Sequence, residues 1–213
     1  MPLYATDALI LRTYKLGESD RIVVFLTRDR GKKRGVAKNA RQSRRRFGGA
    51  LEPLTCGRVG YVEKERRDLV TLNYVEPTRS PLSATEGDAL DYVSYFAELI
   101  DEWAQEADPN ETLFRLGRSM VDAMAAGVPT EPLARYFEYW LLRLQGVYAV
   151  DPGLSPAARA FLTAARGSSP FGLADLAVPR PVLRELEVAH RELIALHLEK
   201  DLKSIRVLRE MRR

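Results

Sequence analysis

The feature that most constrains the fold of this 213-residue chain is a change of hydrophobic period near Thr85. Before it, apolar residues come in short runs rich in β-branched side chains and closed by turn residues. After it, they recur every three to four positions, the spacing of one helix face. The pattern predicts an α+β protein, with a strand-built domain over residues 1–80 and a helical domain over residues 81–213.

In the first part, Leu3–Arg12 and Arg21–Thr27 read as a hairpin around Gly17-Glu18-Ser19-Asp20. Gly31 breaks the chain before a strand at Lys33–Lys38, and two more strands follow, Thr55–Lys64 and Leu69–Glu76, joined across Glu65-Arg66-Arg67-Asp68. Five strands of this length suggest a small closed barrel. An OB fold has five, with a break between the third and fourth that residues 40–49 would fill as a short basic helix or a flexible loop. An SH3-like barrel is the competing reading, and periodicity leaves it open.

The second part predicts a bundle. Ala89, Tyr92, Val93, Phe96, Leu99, Ile100 and Trp103 form one apolar stripe, and Leu113, Leu116, Met120, Val121 and Met124 another, ending at Gly127. Thr130 is placed as an N-cap, with Pro132 in the first turn of a helix whose face is Leu133, Tyr136, Phe137, Trp140, Leu141 and Leu144. Ser155-Pro156 opens a shorter helix that closes at Gly167, and Pro181 a long one running to about Lys200.

Charge separates the two parts. Residues 1–80 hold 18 Lys and Arg against 9 Asp and Glu, net +9, and residues 81–213 hold 15 against 20, net −5, which together give the chain its +4. The densest stretch is 28–46, where ten of nineteen residues are basic and Asp29 alone opposes them. A clustered basic face calls for a polyanion, and nucleic acid is the reading adopted. The candidate DNA-binding residues are Arg28, Arg30, Lys32, Lys33, Arg34, Lys38, Arg41, Arg44, Arg45 and Arg46. Tyr14, Phe25, Phe47 and Tyr61 are the candidate aromatics for stacking bases, Phe25 being the one assigned to the core.

Catalytic and cofactor motifs are missing. The chain has no GxxxxGK[ST] loop, no GxGxxG and no HExxH, so it lacks the phosphate cradles and metal ligands those motifs supply. His190 and His197 read as a partly buried structural pair, and Glu63/Glu65, Asp101/Glu102 and Glu185/Glu187 as carboxylates on solvated faces. The single Cys56 cannot form an intramolecular disulfide or a cysteine-based zinc site, and is expected to pack in the core of a reduced, cytosolic protein. No apolar stretch reaches the roughly 18 residues that would suggest a membrane span. An enzyme is disfavoured, and neither cofactor nor metal is expected.

Several stretches, in order, resemble the RecO family of recombination mediators. They are Gly17-Glu18-Ser19-Asp20-Arg21-Ile22-Val23, Leu26-Thr27-Arg28 with Gly31, Val36-Ala37-Lys38-Asn39-Ala40-Arg41 and Ala50-Leu51-Glu52-Pro53-Leu54-Thr55. Arg135-Tyr136-Phe137-Glu138, Leu141-Leu142, Gly146-Val147-Tyr148 and Leu202–Arg209 continue the likeness. The resemblance implies an OB-fold N-terminal domain and a helical C-terminal one. It also implies binding of single- and double-stranded DNA, annealing of complementary strands, and work with RecR and the single-strand-binding protein SSB to assist RecA in a nucleoid-associated, cytoplasmic setting. Arg135 resembles the arginine that receives the acidic SSB C-terminal tail, with Tyr136, Phe137 and Trp140 as walls. The sequence departs from the family twice. Residues 149–172 contain no cysteine where many members carry a four-cysteine zinc insertion, and Asn39 stands where glycine is expected, a residue that still tolerates a left-handed backbone. An RNA-binding or ribosome-associated barrel protein would show the same charge pattern.

Overall fold

The computed structural model describes residues 2–64, 67–83, 89–149, 151–200, 202–205 and 208. Glu65, Arg66, Thr85, Arg206, Val207 and Arg209, named above, lie outside them, as does the side chain of Ala89. Five strands come first: β1 (Leu3–Leu16), β2 (Asp20–Thr27), β3 (Lys32–Ala37), β4 (Cys56–Val62) and β5 (Val70–Arg79), with a short helix α1 (Arg44–Phe47) between β3 and β4. Five longer helices follow: α2 (Ala89–Trp103), α3 (Glu111–Ala125), α4 (Thr130–Leu144), α5 (Pro156–Gly167) and α6 (Arg180–Leu198).

The strands close into a barrel in the order β1-β2-β3-β5-β4. The β3–β5 pair is parallel and every other pair antiparallel. Closure depends on β1, which pairs with β4 through Leu3–Leu9 and with β2 through Ala8–Leu16. An irregularity in its β2 register between Ile10 and Arg12 accompanies this change of partner. The order, with a helix in the gap between the third and fourth strands, is that of an OB fold rather than an SH3-like barrel.

The apolar runs of β1 and β2 follow from burial on both faces. Ala8, Ile10, Val23 and Phe25 point into the barrel with Ala37, Val59, Tyr61 and Leu72. The alternate residues Leu9, Leu11, Val24 and Leu26 belong to a second cluster shared with the helices. A strand covered on both sides loses the alternation of a half-exposed one. Phe47 at the end of α1 and Ala50 just after it join the interior cluster, so the basic loop is fixed to the barrel by its own apolar residues.

The predicted stripes on α2 and α3 are buried from Tyr92 to Trp103 and from Leu113 to Met124. On α4, Leu144 is exposed, because it occupies the last helical residue, whereas Leu142 is buried. The N-cap expectation for Thr130 is corrected: Thr130 is the first helical residue, Pro129 holds the cap position, and no side chain caps the end. Pro129 at φ −55° is extended with ψ 129° and enters the helix without a hydroxyl acceptor. Ser155 does cap α5, its Oγ accepting from the Ala158 N–H at 3.2 Å.

Barrel and helices meet backbone to backbone. The Lys32 N–H donates to Gln105 O and the Ala107 N–H to Lys32 O, both at 3.1 Å, so the loop after α2 runs alongside the start of β3. Gly31, at φ +68°, permits this approach, since a Cβ there would lie 2.3 Å from the Asp108 nitrogen. Gly31→Ala combines a left-handed backbone with a collision against main chain that has no soft end to move. A loss of about 2 kcal/mol or more is expected in urea unfolding, and a loss below about 0.5 kcal/mol would show that the loop yields instead.

Candidate nucleic-acid interface

The ten basic residues of the 28–46 stretch divide evenly. Those up to Arg34 face carboxylates: Arg28 meets Glu111 at 2.8 Å, Arg30 lies 3.9 Å from Asp29, Lys32 meets Asp101 at 3.1 Å, Lys33 meets Glu63 at 2.7 Å and Arg34 meets Glu106 at 3.0 Å. Arg30 also covers the Tyr4 ring at 4.0 Å. Lys38, Arg41, Arg44, Arg45 and Arg46 form no ion pair among the described residues. The apolar register of β3 separates the two groups, with Gly35 and Ala37 buried between them.

Local chemistry holds the unpaired group in place. Asn39 adopts φ 53°, the left-handed turn expected of it, and its N–H donates to Asp20 Oδ1 at 2.8 Å. The Arg41 N–H and guanidinium donate to Ser19 O at 3.2 Å and Glu18 O at 3.1 Å, tying the loop to the β1–β2 hairpin. Arg46 is turned inward, donating to Ser43 Oγ and the Lys38 carbonyl, each at 2.8 Å. Lys38, Arg41, Arg44 and Arg45 remain exposed. Beside them a groove of about 430 Å³ is lined by Thr13, Arg21, Arg41, Phe47, Gly49 and Glu52, among others.

The aromatic candidates resolve differently. Phe25 is core, as expected, and Phe47 and Tyr61 are core too, at 3% and 0% exposure, because the barrel interior needs their volume. Burial raises the Tyr61 hydroxyl pKa to about 12. Tyr14, at 48% exposure on the hairpin, is the one of the four open to a base. Cys56 is buried as expected, and burial pushes its thiol up to about 12, far from a reactive thiolate.

The two histidines do not act as a pair. His190 is buried, with Nδ1 3.0 Å from Glu138 Oε2, while His197 is exposed and stacks on Trp103 at 5.6 Å between centroids. The carboxylates assigned to solvated faces are also engaged. Asp101 and Glu102 pair with Arg12, and Glu185 accepts from the Ser155 N–H at 2.6 Å and its hydroxyl at 2.7 Å. Those Ser155 bonds hold the Glu185 carboxyl below its ordinary pKa. The partners are too distant in sequence for local spacing to reveal them. Among the described residues no three His, Cys, Asp or Glu side chains gather as a metal site, and no helix is long and apolar enough to cross a membrane.

Arg135 lies within the bundle. Its side chain is 5% exposed, and Nη2 meets Glu138 Oε1 at 2.9 Å. Phe137 is buried, Tyr136 donates its hydroxyl to Ser168 O, and Trp140 donates its indole N–H to Ala165 O. An open cavity of about 520 Å³ lies further along α4, between it and α5, lined by Tyr139, Arg143, Tyr148, Arg159, Leu162 and Arg166, with no carboxylate among its walls. This arginine set was not singled out from the sequence. Arg159 and Arg166, seven apart on one helix, are the signal that could have found it.

A closed OB barrel with a basic loop whose later cations have no ion pair among the described residues, fastened to a helical bundle, defines the class: an OB-fold barrel protein with a C-terminal helical domain. Residues 1–81 match the family described as Recombination protein O N terminal, and residues 84–151 the one described as Recombination protein O C terminal. The chain is 42% identical over 149 residues to the DNA repair protein RecO of Koribacter versatilis, covering 68% of this chain and 59% of that one. It is 40% identical over 153 residues to that of an Anaeromyxobacter species, covering 71% and 59%. With the DNA repair protein RecO of a Nocardioides species it shares 40% over 174 residues, 78% of this chain and 68% of the relative. The chain belongs to the RecO family, and spans about three-fifths of the length of the first two relatives.

Proposed function

We propose that this protein binds DNA through its barrel and serves repair and recombination as a mediator, not as an enzyme. The observation that carries the reading is the exposed group Lys38, Arg41, Arg44 and Arg45, held without carboxylate partners among the described residues. Cations of this kind neutralise phosphates and release counterions without reading sequence. A surface that screens the charge of two strands also lowers the repulsion between them, which supports annealing. Binding of both single- and double-stranded DNA, action with RecR and assistance to RecA on SSB-coated DNA follow from family membership and are part of the same proposal. Fluorescence anisotropy with labelled oligo-dT at two salt concentrations tests it: tight binding that weakens with salt is expected, and no binding at low salt overturns it. Competition by oligo-U stronger than by oligo-dT would favour the RNA-binding alternative.

The helical domain is the proposed receptor for the acidic SSB tail. A terminal aromatic residue with a free carboxylate requires a cation beside an apolar wall. Arg135 is buried against Glu138, while the cavity beyond it offers Arg143, Arg159 and Arg166 with Tyr139, Tyr148 and Leu162. Arg143→Glu with Arg166→Glu is expected to weaken a fluorescent tail peptide on the order of tenfold or more, since losing a charge-assisted contact and gaining repulsion each cost about 1 kcal/mol or more. Unchanged peptide affinity in the folded variant would place the tail elsewhere.

A further inference from the structure

At the Lys32 end of β3 the barrel carries a second set of cations, and the helical domain holds carboxylates over them. Five residue steps of about 3.3 Å separate this end from Ala37, so it lies roughly 16 Å from the unpaired loop. A groove of about 230 Å³ there is lined by the cations Lys32, Lys33, Arg34, Lys64 and Arg67 and the carboxylates of Glu63, Asp68 and Glu106, so cations outnumber carboxylates five to three among the described residues. Its lining shares no residue with the groove beside Arg41.

The carboxylates are of two kinds. Asp101 is largely buried, at 14% exposure, and takes both a salt bridge and, through its carbonyl, a hydrogen bond from Lys32 Nζ, so it is part of the junction. Glu106 and Glu111 are at the surface. The Arg34–Glu106 pair is 54% and 61% exposed, and the Arg28–Glu111 pair 56% and 55%. Pairs this exposed hold weakly, and the charge of a strand can displace them. Their position is nevertheless built in. The Lys32–Gln105 and Ala107–Lys32 backbone bonds, with Ala107 at φ 56°, fix Glu106 against β3, and Glu111 opens α3 just beyond.

We infer that this groove, together with Arg28, is a second phosphate track for single-stranded DNA, masked in the free protein by two residues of the helical domain, Glu106 on Arg34 and Glu111 on Arg28. The inference rests on the proposed DNA binding. A strand leaving the unpaired loop meets a track whose surface arginines, Arg28 and Arg34, are already paired, and it engages those two only by displacing the glutamates. The helical domain thereby lowers the affinity of the barrel it is attached to and limits the number of phosphates bound at first contact.

The test uses the full chain and oligo-dT, with parent protein compared to Glu106→Gln/Glu111→Gln over a salt series. Both positions are exposed, so the variant is expected to fold, as its thermal unfolding will show. Affinity should rise about two- to fivefold per released pair, and the log–log salt slope should steepen by up to about 0.7 for each cation that gains a phosphate. Adding Arg28→Ala and Arg34→Ala to that variant should cancel the gain. Unchanged affinity and slope overturn the mask, and so does a gain that survives loss of the two arginines, which would then reflect overall charge. If the parent itself fails to bind oligo-dT at low salt, the proposed function falls, and this inference with it.

Discussion

Replacing Lys38, Arg41, Arg44 and Arg45 together by alanine is expected to weaken oligo-dT binding on the order of a hundredfold or more at 50 mM salt. Each cation that meets a single-strand phosphate contributes about 0.7 to the log–log salt slope, so the slope should flatten by up to about 2.8. None of the four is in either apolar cluster, and their side chains are exposed, so the barrel should remain folded. The loss should be uniform across sequences, because phosphate contacts carry no sequence information. The comparison is Arg28, Lys32, Lys33 and Arg34, replaced in the same way. Each of those already has a carboxylate within 3.1 Å, so the same number of alanines should cost far less binding. Equal losses from the two sets would mean that internal pairing does not govern phosphate contact.

The second large effect concerns stability. Glu138→Leu should destabilise the protein by about 3–5 kcal/mol, because it removes the centre of a buried polar network and takes from the buried Arg135 its carboxylate partner at 2.9 Å. Glu138, at 1% exposure, accepts from the Tyr95 hydroxyl at 2.6 Å, pairs with Arg135 at 2.9 Å and faces His190 at 3.0 Å, linking α2, α4 and α6. Burial, and then the Glu138 charge, raise the Tyr95 hydroxyl well above its ordinary pKa, so it stays a hydrogen-bond donor. Arg135 has little reserve: its Nη1 has no hydrogen-bond partner among the described residues and lies 3.9 Å from the Glu187 carboxylate. For a chain of this size the expected loss lowers Tm by roughly 10 °C. Adding Arg135→Met should restore much of it, since an apolar pair of similar volume removes the stranded charge. A single-mutant loss under about 1 kcal/mol would show that Arg135 finds another partner or water.

Arg135 shows where sequence reasoning stops. Glu138, three residues further along the same helix, lies at a spacing that allows an ion pair with it. The completion of that pair by Tyr95 and His190, 43 residues before Glu138 and 52 after it, is beyond the reach of local spacing. Arg28 and Arg34 pose the same problem at the surface. Both looked as available as Arg44, and only the fold brings Glu111 and Glu106 to them, over 83 and 72 residues of chain.

The sequence by itself determined the local features. The five strand segments, the turn at Asn39, the break at Gly31, the Ser155 cap and the apolar stripes of α2 and α3 all depend on residues within a few positions of one another. Propensity and periodicity act over that range. Which cations are free, which aromatics remain exposed and where the arginines of α4 and α5 form a cavity were decided by the tertiary structure. Charge pairing and burial depend on distance in space, and closing the barrel against the bundle sets those distances for residues far apart in the chain.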